Sequence, residues 1–150
     1  MIEAVFVRLL ILAGGFASLS VFAGSDESNL AIQGYSPVSY FEEGRPEKGS
    51  PQYTSTYDGK IYYFTSAKQR QTFEQDPEAY APVFPNHCPY SLALGRAVAI
   101  DPTNFTIADG RLLLFHRSEE MNGLQGWRRA EDKEALLDRA RRNRATLFRF

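Results

Sequence analysis

The sequence predicts an α+β fold: a small antiparallel sheet of hairpins with short helices packed on it, and a C-terminal helical extension over 117–150. Three observations predict it. Asp58-Gly59 and Asp109-Gly110 each divide an apolar or β-branched run, QYTSTYDGKIYYFT and NFTIADGRLLLFH. Asp-Gly is the pair that best accepts the positive φ angles of a type I′ hairpin turn. Short segments around the hairpins carry helix punctuation, with Ser66 three residues before Gln69, Pro77 after Asp76, and Pro89 followed by Gly95. Last, AEDKEALLDRARRNRATLF is rich in Ala, Leu, Glu and Arg and free of Gly and Pro, the composition of a good helix.

The elements follow in order. In AIQGYSPVSYF, Gly34 and Pro37 mark a tight turn, and Val38, Tyr40 and Phe41 anchor a short strand or turn of helix. EEGRPEKGSP is a loop by its Gly, Pro and charge content. After the first hairpin, Ser66 and Gln69 have the spacing of a capping box, in which each side chain satisfies the other's backbone amide. The helix they open runs through Arg70 and Phe73 to about Asp76, where Pro77 stops it or starts a new turn with Asp76 as cap. Tyr80 and Phe84 then pin the chain to the core. Cys88 to Gly95 has Pro at a first helical position and Gly at the end, the mark of a short helix. The second hairpin is expected beside the first in one sheet. Ser118 can cap a further helix with Glu119 and Glu120 in its first turn, and Gly123 and Gly126 keep that helix short or bent. Trp127 anchors the approach of the last helix, whose apolar face is Leu136, Leu137, Ala140 and Leu147.

At 150 residues, 43% hydrophobic and 23% charged, the chain has the composition of one globular domain. Its start reads as a leader over 1–23: an apolar run from Leu9 ends in Val21-Phe22-Ala23, with small side chains where a signal peptidase reads, so cleavage is expected at Ala23-Gly24. That run is about 15 residues, short of the roughly 20 a spanning helix needs. A polar lead over 24–31 follows. The only cysteine is Cys88, so an internal disulfide is impossible and packing must hold the fold. Charge is uneven: 24–116 carries 7 Lys and Arg against 11 Asp and Glu, whereas 117–150 carries 9 against 6. The arginine run Arg139, Arg141, Arg142 and Arg144 suits a protein partner or an anionic lipid surface. A net charge of −1 on an exported chain argues against nucleic acid.

Three strings recur in a known order: GYSPVSYF at Gly34, YDGKIYYFTSAKQRQTF at Tyr57, and DPEAYAP at Asp76. That order resembles the YHS domain family in its secreted bacterial branch, over Ile32 to His116. The resemblance implies a hairpin, a helix and a DPxxYAP segment packed as one module. Many such domains handle metal through an FCSxxC pair; the matching string here is FTSAKQ, with Thr65 and Gln69 where the two cysteines would stand. The family's GGYCAY-like segment is matched at Cys88 and Tyr90, while Pro85, Asn86 and His87 replace its Gly-Gly-Tyr and Pro89 replaces its Ala.

Chemistry concentrates at Asn86-His87-Cys88, which supports three readings. Cys88 can be a small buried hydrophobe with His87 hydrogen-bonded in a loop. It can be a thiol at the start of a helix, its pKa lowered by the dipole and His87, serving a redox accessory role. Or Cys88, His87 and His116 can form a metal site for copper or zinc, three ligands with one open position. Adjacent residues in extended chain point to opposite faces, so His87 and Cys88 share an ion only if the loop turns between Pro85 and Pro89. Asp58, Asp76, Asp101 and Asp109 have turn or cap duties, no acid and base pair up, and two histidines leave little room for a triad. The expectation is therefore an exported, non-enzymatic binding module of the YHS type for a thiophilic metal ion or a small ligand. The alternative is a structural or partner-docking protein that uses a tyrosine-rich face and the basic C-terminal helix.

Overall fold

A computed structural model describes residues 29–149, and among them the α+β class is observed, with short helices and two antiparallel hairpins alternating along the chain. The leader expected over 1–23 lies outside the described residues. Among those described, no helix is long and apolar enough to cross a membrane.

A 3-10 turn, Ala31–Gly34, leads into helix α1 (Pro37–Glu42), which opens on Pro37, where a missing amide costs nothing. Strands β1 (Ser50–Tyr57) and β2 (Lys60–Phe64) form the first hairpin. Asp58 and Gly59 at its tip have φ of 48° and 69°, the positive pair that a type I′ turn demands. Helix α2 (Ala67–Gln75) is capped by Ser66, whose hydroxyl accepts from Gln69 N at 3.2 Å. The other half of the expected capping box differs: Gln69 Oε1 accepts from Thr65 N at 3.2 Å and from Ser36 Oγ at 2.7 Å. Gln69 is buried against α1, and the two donors there outcompete the amide of Ser66. Helix α3 (Pro77–Tyr80) starts afresh with Asp76 as its cap, as the Pro77 reading allowed. Helix α4 (Pro89–Ala93) ends before Gly95, whose φ is 78°.

The second hairpin, β3 (Asp101–Ala108) and β4 (Arg111–Phe115), turns at Asp109-Gly110 with φ of 50° and 73°. Contrary to the single sheet expected, the two hairpins are separate two-stranded ladders. Other chain meets the inner strand of each: Leu30 bridges Ile61 of β2, and Val83 N donates to Leu112 O of β4 at 3.1 Å. Those contacts take backbone groups through which β2 and β4 would otherwise pair.

The hairpins nevertheless repeat one another. Each pairs an eight-residue strand with a five-residue strand and shifts register in the same place, so that Tyr57 corresponds to Ala108, Lys60 to Arg111 and Phe64 to Phe115. Each also follows a helix opened by proline, tied back by a backbone bond of 2.9 Å, Ser36 N to Glu47 O in one half and Cys88 N to Val98 O in the other. The two halves thus share one hairpin plan on different sequences.

Two apolar clusters hold the molecule. One gathers Ile32, Val38, Tyr40, Tyr62, Phe64 and Phe73; the other gathers Phe84, Cys88, Leu92, Phe115, Trp127 and Leu137. Strand β4 serves both, with Leu112 and Leu114 in the first and Leu113 and Phe115 in the second, which is why its sequence is an unbroken apolar run. Helices α5 (Gly123–Arg129) and α6 (Lys133–Leu147) put Leu124, Trp127, Leu136, Leu137 and Ala140 into the second cluster. The C-terminal segment is thus an integral wall. Helix α5 starts at Gly123, later than the Ser118 cap expected. Asn122 Oδ1 accepts from Leu124 N at 3.1 Å and from Gln125 N at 3.3 Å, and Asn104 Nδ2 from β3 fixes that same oxygen at 3.1 Å. Ser118 closes a turn with Met121 instead. Leu147, assigned to the apolar face of α6, is 44% exposed, because the core contact of the helix ends at Ala140.

Candidate functional site

The two halves leave a cleft of about 1200 Å³ between the lead at Asn29–Gln33, the Val83–His87 loop, Ala99–Ile100 and the last turns of α6. Its walls are set by local backbone chemistry. Ile32 and Gln33 occupy left-handed conformations, with φ of 53° and 50°. For a β-branched residue such as Ile32 this is costly, and it persists only where surroundings over-determine it. They do so here. Ile32 N donates to Pro85 O at 3.1 Å and to Asn86 Oδ1 at 3.2 Å, Gln33 Nε2 donates to Ile100 O at 2.8 Å, and the Ile32 side chain is fully buried. Two walls of the cleft are thereby stitched together.

The opposite wall comes from α6. Arg141, Arg144, Ala145 and Phe148 all line the cleft, and their spacing puts them on one side of the helix and its C-cap. The helix is docked by Asn143, whose Nδ2 donates to Leu92 O at 2.8 Å. His87 completes the rim, its ring 4.9 Å from that of Phe148. Partial burial, then the positive charges of Arg144 and Lys60, hold the His87 pKa below its ordinary value.

Of the three expected metal ligands, the structure brings none together with the others in a site. Extended chain sends His87 and Cys88 to opposite sides: His87 lines the cleft, while Cys88 is fully buried with Phe84, Leu92, Phe115 and Trp127. Gly123 is pressed against that sulfur so closely that a Cβ there would stand 2.6 Å from Sγ. His116 lines a separate, smaller concavity with Tyr90 and Met121, and its Nδ1 donates to Ala99 O at 3.0 Å. Among the described residues, no three His, Cys, Asp or Glu side chains are grouped so as to hold a metal ion. Thr65 and Gln69, matched by the resemblance to a cysteine pair, are joined by the hydrogen bond described above.

The carboxylates have the structural duties expected of them. Asp76 caps α3, and Asp101 accepts from Thr103 at 2.7 Å and from Arg117 at 3.1 Å. Burial alone would raise the Asp101 pKa, but those hydrogen bonds outweigh it and hold the group below its ordinary value. No tyrosine is fully exposed. Tyr40 is buried with its hydroxyl donating to Pro102 O at 2.7 Å, Tyr62 is buried against Phe73, and the other six are half-buried.

The cleft itself was not found by reading the sequence. Arg141, Arg144 and Phe148 carried a usable signal, a basic and apolar stripe at helical spacing, but Gln33, Asn86 and Ile100 reach the cleft only through tertiary contact. No protein-family model, curated protein or solved structure matches the chain.

Proposed function

We propose that the protein is an exported, non-enzymatic binding module of the YHS type that takes a small organic ligand in the cleft between its halves. One observation carries this reading: a concavity of about 1200 Å³ whose apolar floor, Phe84, Pro85 and Ile100, is overlooked by a few polar and basic groups. Binding sites in small proteins have this make-up, an apolar lining with a small number of polar groups that fix orientation. The left-handed pair Ile32-Gln33, of which Gln33 lines the cleft, adds to it, since backbone strain collects where geometry serves a site. Copper or zinc held by Cys88, His87 and His116 is not part of the proposal, because the thiol faces the apolar core.

A neutral apolar dye tests the reading. Nile red should brighten on binding the purified protein, and Ala145→Trp, on an exposed position of α6 that lines the cleft, should abolish the signal while leaving the thermal melt unchanged. Equal brightening by that variant would sink the proposal.

A further inference from the structure

Among the described residues the charges that line the cleft are of one sign: Lys60, Arg141 and Arg144, with no aspartate or glutamate. This is not the protein's general balance, since the whole chain has a net charge of −1. Arg141 is held at 2.8 Å by Asp138, which stands outside the lining, whereas Arg144 has no acidic partner among the described residues. Leu30, Val83, Phe84, Ile100 and Phe148 give the lining its apolar part, beside the neutral polar groups of Asn29, Gln33, Asn86 and His87. A concavity bounded by low-dielectric walls focuses the field of such charges and strengthens their grip on an anion.

Accepting the cleft as the ligand site, we infer that it selects an amphiphile: an apolar body lying along Phe84, Ile100 and Phe148 and an anionic headgroup at Arg144. The guanidinium supplies a planar fork that matches a carboxylate or a phosphate. His87 stands beside it as a reporter. The Phe148 ring lies 4.9 Å from this imidazole, and burial, then the charges of Arg144 on α6 and Lys60 at the start of β2, disfavour its protonation. An anion seated among them would reverse that bias and raise its pKa.

Calorimetry with the purified protein at low salt, using decanoate, decyl phosphate and decanol below their aggregation concentrations, tests the inference. At least one charged probe should bind ten-fold or more tightly than decanol, and whichever binds tighter identifies the headgroup class. Arg144→Gln should erase most of that advantage without weakening decanol, Arg144→Lys should restore part of it, and added salt should weaken only the charged probe. In the same samples the His87 ring signals should titrate at higher pH with the charged probe and be unmoved by decanol. Decanol binding as tightly as both charged probes would overturn the ligand class and leave the cleft standing as a binding site. Failure of all three probes to bind would overturn both readings.

Discussion

Cys88 and His87 are neighbours in sequence with opposite fates, and each predicts a measurable behaviour. The Cys88 sulfur is fully buried against Gly123, so its reaction with Ellman's reagent should be slow and limited by unfolding. Gly123→Ala would force a methyl group to within 2.6 Å of that sulfur, and overpacking of this kind costs about 1–3 kcal/mol. Removing the sulfur makes room, so Gly123→Ala with Cys88→Ala should cost less than the sum of the single changes in denaturant melts. Additive costs would mean the two residues do not touch. For His87 the sign follows from its lowered pKa, caused by burial and then by Arg144 and Lys60. The unfolded chain takes up the proton first, so stability is full above the ordinary value of 6.5 and falls as pH drops through it, until the folded imidazole titrates as well. His87→Gln should flatten the stability profile in this window. An unchanged slope would place the effect elsewhere, since Asp101, with its lowered pKa, contributes stability that is lost only as pH falls below about 4.

Elements that depend on near neighbours were legible in the sequence, and those chosen by distant contacts were not. Both hairpin turns, the Ser66 cap, and the proline-opened helices α3 and α4 follow from two or three adjacent residues, whose φ preferences and capping bonds are local. Asp58-Gly59 shows how local this is. Nothing lies within 4 Å of a Cβ built on Gly59, so Gly59→Val would lose no space and pay only for its φ of 69°. We expect it to lower stability by about 1 kcal/mol or more in a thermal melt. By contrast, Ser118 and Asn122 are both competent caps, and Asn104 from another strand decides for Asn122. Gln69 likewise turns from the amide of Ser66 to Ser36 and Thr65 because α1 arrives beside it. No reading of 66–69 alone contains that information.

At the scale of the whole molecule, two halves with similar hairpins pack through β4, and the cleft lies between them. The candidate site was therefore the least legible feature: Cys88, His87 and His116 stood out by residue type, yet packing separates them. The residues that do converge, Gln33, Asn86, Ile100 and Arg144, are ordinary in composition and meet only because the lead, a loop and α6 close on one another. Mapping backbone amide shifts of the labelled protein as decanoate is added tests this account most directly. The largest shifts should fall on Gln33, Asn86, His87, Ile100 and Arg144. Shifts centred on His116 and Met121, with those five residues unmoved, would contradict it.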